Sequence, residues 1–161
     1  MGDALDGFHL DADKKQPLYF GIDVSGHVDK LMQQVAECLE QNPQLIQKSG
    51  ELHTTVVYLG GKPNQKKLNY FLQKYKDRDG QPFTVEISGY GVSQDAIAFI
   101  VSKLTFADGS EVFTEPGKTL HITFALKEGV QPKDSVLAIK NGTNVIFAKP
   151  ITIDGNFKFF Y

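Results

Sequence analysis

Two short segments repeat one pattern. Leu52-His53-Thr54-Thr55 and Leu120-His121-Ile122-Thr123 both read Leu-His-x-Thr, 68 residues apart, and each runs on into apolar residues. Side chains on a strand alternate faces, so His53 shares a face with Thr55, and His121 with Thr123. Brought together, the two strands would bring two imidazoles and two hydroxyls to one cleft. Imidazole titrates near neutrality, so one ring can take a proton while the other gives one. Each threonine adds a hydroxyl donor. Such a set suits an anion undergoing in-line attack with protonation of a leaving group, and a phosphodiester is the natural candidate. Two imidazoles titrating near 6.5 predict a bell-shaped rate profile with its maximum between about pH 5.5 and 7.5. Without a carboxylate or thiol beside them, two histidines are too few ligands for zinc. No metal and no cofactor is therefore expected. The chain holds four histidines; His9, in an acidic lead-in, and His27, at a helix start, are expected at the surface.

The elements that must carry these residues are legible in the periodicity. Leu18 to Val24 is apolar and aromatic and reads as a strand ending at Ser25-Gly26. Val28, Leu31, Met32, Val35, Ala36 and Leu39 form a stripe at intervals of three and four, the signature of a helix with one apolar face. Ser25 is its expected N-cap and Asn42-Pro43 its stop. A second helix, capped by Asn64, carries Leu68, Phe71, Leu72 and Tyr75 and ends at Asp77-Arg78-Asp79-Gly80. Strands are predicted over 52–59, 83–88, 96–104, 119–126, 144–148 and 151–160, with turns at Asp108-Gly109 and Asp154-Gly155. The segment 133–140 is expected to be helical. Helices early and strands late make an α+β pattern, with helices packed on sheets.

Composition narrows the function classes. A chain of 161 residues predicts about one domain and a core that needs no disulfides. Lys plus Arg number 17 and Asp plus Glu 19, a net charge of −2, which argues against a strongly basic nucleic-acid binder. A small basic pocket is compatible with it. The single cysteine, Cys38, excludes an internal disulfide framework and reads as a small helix-edge filler. No apolar run reaches the ~18 residues of a membrane span, and no signal, myristoylation or prenylation pattern is present. A cytoplasmic monomer without stable membrane association is expected. Gly117-Lys118-Thr119 mimics the end of a P-loop, but Val112 stands where its first glycine belongs, so a nucleotide-kinase reading is rejected.

The paired His-x-Thr strands resemble the 2H phosphoesterase superfamily. Tyr19-Phe20-Gly21, the two motifs, and Gly129-Val130-Gln131-Pro132 resemble in particular the 2′,3′-cyclic-nucleotide 3′-phosphodiesterase catalytic domain. The last of these stretches is also similar to the cyclic phosphodiesterase domain at the end of fungal tRNA ligases. The resemblance covers about 17–161. It implies two pseudo-symmetric lobes with antiparallel sheets flanking a central cleft, helices on the outside. Residues 1–15 would be a flexible lead-in and 16–161 the catalytic domain. His53, Thr55, His121 and Thr123 would be catalytic, with Tyr19, Tyr58 and Pro132 touching substrate; Lys118 is added as a substrate-binding candidate for its own charge, which the resemblance does not supply. The substrate would be a 2′,3′-cyclic nucleotide or RNA 3′ end, opened to a 2′-phosphate. Family precedent makes His53 the acid and His121 the base, an assignment the residues themselves leave open. Strict alternation sets Tyr58 on the face opposite His53, so its match requires a break in the strand.

Two other classes compete. A nucleotide- or RNA-end-binding module of the same fold would bind without turnover; the four motif residues weigh against it, and a turnover assay separates the two. A structural domain with coincidental motifs would hold its imidazoles too far apart, or too deep, to share a substrate.

Overall fold

The computed structural model describes residues 19–48, 52–58, 65–75, 77–78, 80–111 and 118–160. The expected lead-in 1–15 lies outside them. The β-branched and aromatic runs fold as β1 (Tyr19–Asp23), β2 (Leu45–Gln47), β3 (His53–Tyr58), β4 (Pro82–Val92), β5 (Ala96–Phe106), β6 (His121–Lys127) and β7 (Thr143–Phe160). The three-four stripes fold as α1 (Val28–Gln41) and α2 (Gln65–Tyr75), and a short α3 (Val136–Lys140) follows a 3-10 turn at Pro132–Ser135.

The class is α+β, and all pairings between the strands are antiparallel. Among the described residues, six strands close into a barrel in the order β6-β3-β1-β7-β4-β5, because β6 also pairs with β5. One edge of β6 is covered by β5. The other is shared by β3, at Ile122, and β2, at Ala125–Lys127. The pairing is continuous around the ring and by itself marks no boundary between two lobes.

The helical stripes do what their spacing requires. Leu31 and Val35 of α1 are buried, and the helix stops where the Asn42 amide donates to Leu39 O and its side chain donates to Cys38 O. Phe71 and Tyr75 of α2 join an aromatic cluster with Phe20 and Phe157, the Tyr75 and Phe157 centroids 5.3 Å apart. The guanidinium of Arg78 lies 3.9 Å over the Phe106 ring, extending that cluster past the helix end. Asn64 and the side chains of Leu68 and Leu72 lie outside the described residues. At Asp108-Gly109 the expected turn forms, with Gly109 at φ +89, a conformation that favours glycine.

Two expectations are corrected, and one strand is new. Ser25 does not cap α1: it opens a 3-10 turn, and its Oγ accepts from the Leu52 amide at 2.9 Å, tying the ends of β1 and β3 together. Asp154-Gly155 is no turn. It lies inside β7, which runs as one bent strand from 143 to 160. Gly155 is required there by close approach, since a Cβ would stand 2.8 Å from Asp23 O. The three-residue β2 was not foreseen, being too short to show a period.

Candidate active site

The two motifs meet at one point of the barrel. Thr54 of β3 pairs with Ile122 of β6, and both side chains are completely buried on the core side. Antiparallel register then carries His53 toward Thr123 and Thr55 toward His121, all four on the opposite face. The two imidazoles occupy diagonal corners of this group, a relation that sets strand residues about 7–8 Å apart. The local twofold of the strand pair exchanges His53 with His121 and Thr55 with Thr123. All four line a cavity of about 630 Å³.

Each motif ends at a bulge. The β1–β3 register slips after Thr55, leaving Val56 unmatched, and the β5–β6 register slips after Thr123, leaving Phe124 unmatched. Val56 and Val57 are consequently both buried, as are Phe124 and Ala125. A bulge frees backbone groups from the ladder. Lysines satisfy both: Lys118 Nζ donates to Val56 O at 3.0 Å, and the Lys48 amide donates to Phe124 O at 2.8 Å. The first bulge is also the break that the Tyr58 match required. It returns Tyr58 to register with Tyr19; the side chain of Tyr58 lies outside the described residues.

The imidazoles differ in their support. Tyr19 stacks on His53 with centroids 5.1 Å apart and ring planes at 25°. Asp23 is the register partner of His53 on β1. Burial pushes the Asp23 carboxyl up, but hydrogen bonds from Lys158 (2.8 Å) and from Ser25 outweigh it and hold the group below its ordinary value. His121 is fixed by a 3.1 Å hydrogen bond between Nδ1 and Thr119 O. A carbonyl only accepts, so Nδ1 carries the proton and Nε2 is the nitrogen with a lone pair for chemistry in the cleft.

Both rings are harder to protonate than ordinary histidine. Burial, then the charge of Lys48, takes His53 from 6.5 down to about 4, with Asp23 partly opposing and His121 adding to the fall. Burial also pulls His121 down, with Lys118 and Lys140 adding to it against the Thr119 hydrogen bond. Both shifts favour the neutral imidazole in the free protein.

Lys48, Lys118 and Lys133 all line the cavity. In a chain of net charge −2, this local excess makes the cleft attractive to an anion. Pro132 opens the 3-10 turn on the cleft rim, and its carbonyl oxygen lies 3.3 Å from Thr123 Oγ1. Ser135, at the end of the same turn, has its Oγ 2.6 Å from that Thr123 oxygen. Sequence reasoning singled out Lys118 and Pro132 but missed Lys48, Lys133 and Ser135. They belong to no repeat or period, and only the closed barrel brings them to the motifs. Among the described residues, no cluster of three His, Cys, Asp or Glu side chains gathers where it could hold a metal ion. No helix among the described residues is long and apolar enough to cross a membrane.

No protein-family model matches the chain, and no curated protein matches it. Solved structures do. A fungal RNA kinase superposes with a TM-score of 0.61 and 14% identity, covering 94% of this chain and 47% of that one. The chain thus spans about half the length of that neighbour. The likeness is one of fold.

Proposed function

We propose that residues 16–161 form a phosphodiesterase of the 2H type, which opens 2′,3′-cyclic phosphates on nucleotides or RNA 3′ ends without a metal and leaves 2′-phosphates. The observation that carries this reading is the diagonal placement of His53 and His121 on one face of paired strands, inside a lysine-rimmed cavity. The diagonal spacing typical of paired strands, about 7–8 Å, suits one phosphoryl group between two rings. The fold shared with a fungal RNA kinase supports RNA as the substrate class. The P-loop pattern, broken at Val112, gives no support to the kinase activity in that name.

In this mechanism a water oxygen attacks phosphorus and the bond from phosphorus to O3′ breaks. His121 takes the water's proton on Nε2, the nitrogen its Thr119 hydrogen bond leaves with a lone pair. His53 gives a proton to the departing O3′. Since His53 is neutral in the empty cleft, the negative charge of the bound phosphate must raise its proton affinity before it can act. Thr55 and Thr123 donate to the non-bridging oxygens, and Lys118 adds positive charge. Tyr19 and Tyr58 pack beside the nucleoside, and Pro132 shapes the rim. The two motif strands, exchanged by their local twofold, would be the counterparts at the centre of two related lobes.

The test is product analysis. An RNA oligonucleotide ending in a 2′,3′-cyclic phosphate, incubated with the protein in EDTA, should yield a 2′-phosphate end only. A 3′-phosphate product would assign a different bond, and an unchanged substrate would leave binding without turnover as the function.

A further inference from the structure

Ser135 is fully buried, and its hydroxyl touches the motif threonine of β6. Thr123 Oγ1 thus has two neighbours, Ser135 Oγ at 2.6 Å and Pro132 O at 3.3 Å. A hydroxyl has one proton and two lone pairs, whereas a carbonyl only accepts. One wiring uses every group: Ser135 donates to Thr123, and Thr123 donates to Pro132 O over the longer contact. An anion in the cavity offers Thr123 a stronger, charge-assisted acceptor. Rotation about a single C–O bond moves the Thr123 proton from the carbonyl to the anion, while Ser135 continues to donate. That donation polarises the Thr123 O–H and makes it a better donor.

We infer that Ser135 is a positioning residue, which holds the Thr123 hydroxyl as a donor to an anionic oxygen in the cleft. Its effect on turnover rests on the cyclic-phosphate reading; its effect on anion binding does not.

The experiment is a double-mutant cycle of Ser135→Ala and Thr123→Val, with Ser135→Cys as a weak donor of similar shape. Two quantities are read: inorganic phosphate affinity by calorimetry, and kcat and KM for 2′,3′-cyclic AMP. With Thr123 present, Ser135→Ala should weaken phosphate binding and lower kcat/KM by about 3- to 10-fold, the size of one hydrogen bond. In the Thr123→Val background it should change neither by more than about twofold, because the positioned hydroxyl is already gone. Ser135→Cys should fall between. Should Ser135→Ala lose its melting transition, the Ser135→Cys cycle is read by the same criterion. Equal losses in both backgrounds would show that Ser135 acts by packing alone and overturn the inference, as would failure of the parent protein to bind phosphate. Phosphate coupling without turnover would support the role of Ser135 while removing the cyclic-phosphate reading.

Discussion

Protonating His53 in the empty cleft should destabilise the fold, by an amount that follows from its position. Its folded value of about 4 lies below the unfolded 6.5, so the unfolded chain takes the proton first as pH drops. The stabilisation from neutral His53 is complete above pH 6.5, declines as pH falls toward 4, and changes little below that. A gap of 2.5 pH units at about 1.4 kcal/mol each amounts to about 3.4 kcal/mol, of which about 2 kcal/mol is lost by pH 5. His53→Gln removes the titration. Urea unfolding of both proteins at pH 7.0, 6.0 and 5.0 should therefore show the parent losing about 2 kcal/mol more than His53→Gln between the extremes. An NMR titration of the ring gives the midpoint directly, near 4 in the empty protein and displaced upward by inorganic phosphate. Parallel stability curves, or a midpoint at or above 6.5, would refute the argument that burial and Lys48 govern this group. The same fall, shared by His121, moves the expected kcat/KM maximum to the acid side of 6.5, below the centre of the range that unperturbed imidazoles predict. Bound substrate should shift the kcat profile upward relative to kcat/KM.

Thr54 Oγ1 is buried with no hydrogen-bond partner among the described residues, so Thr54→Val should raise stability by about 1 kcal/mol and leave turnover within twofold. A lower urea midpoint would show that the hydroxyl is satisfied. Lys118→Met removes both the donor to Val56 O and a positive charge beside His121. It should raise the His121 titration midpoint and weaken phosphate binding about tenfold, as loss of a charge-assisted contact does; a downward shift of the midpoint would contradict this. Lys158→Met leaves the Asp23 charge uncompensated and should raise the His53 midpoint, whereas Asp23→Asn should lower it, both read in the same NMR titration.

The motif pair was legible because strand alternation is a strict rule: His-x-Thr puts both side chains on one face, whatever the fold around them. The helices were legible for the corresponding reason, with Leu31 and Val35 buried where their stripe requires. What escaped depended on pairing. Nothing in Val56-Val57 or Phe124-Ala125 announces a bulge, since both dipeptides suit an ordinary strand, yet the slips there restore the register of Tyr58 and open the carbonyls that Lys118 and Lys48 fill. Asp154-Gly155 has the composition of a turn. Its place inside β7 is set by the crossing of Asp23, a neighbour about 130 residues away. Ser135 lay unremarked in a segment expected to be helical, because its partner, Thr123, is reached only through the turn that starts at Pro132.

The central claim is that two imidazoles on one face act on a single phosphoryl group. It is tested most directly by kcat/KM for 2′,3′-cyclic AMP in His53→Ala, His121→Ala and the double variant, each checked for an intact melting transition. Acid and base groups each contribute about 10²–10⁴, so each single variant should lose at least about 100-fold. The double variant should lose far less than the product of the two, because partners in one proton-transfer step are not additive. Near-normal turnover in either single variant, or losses that multiply, would contradict the account.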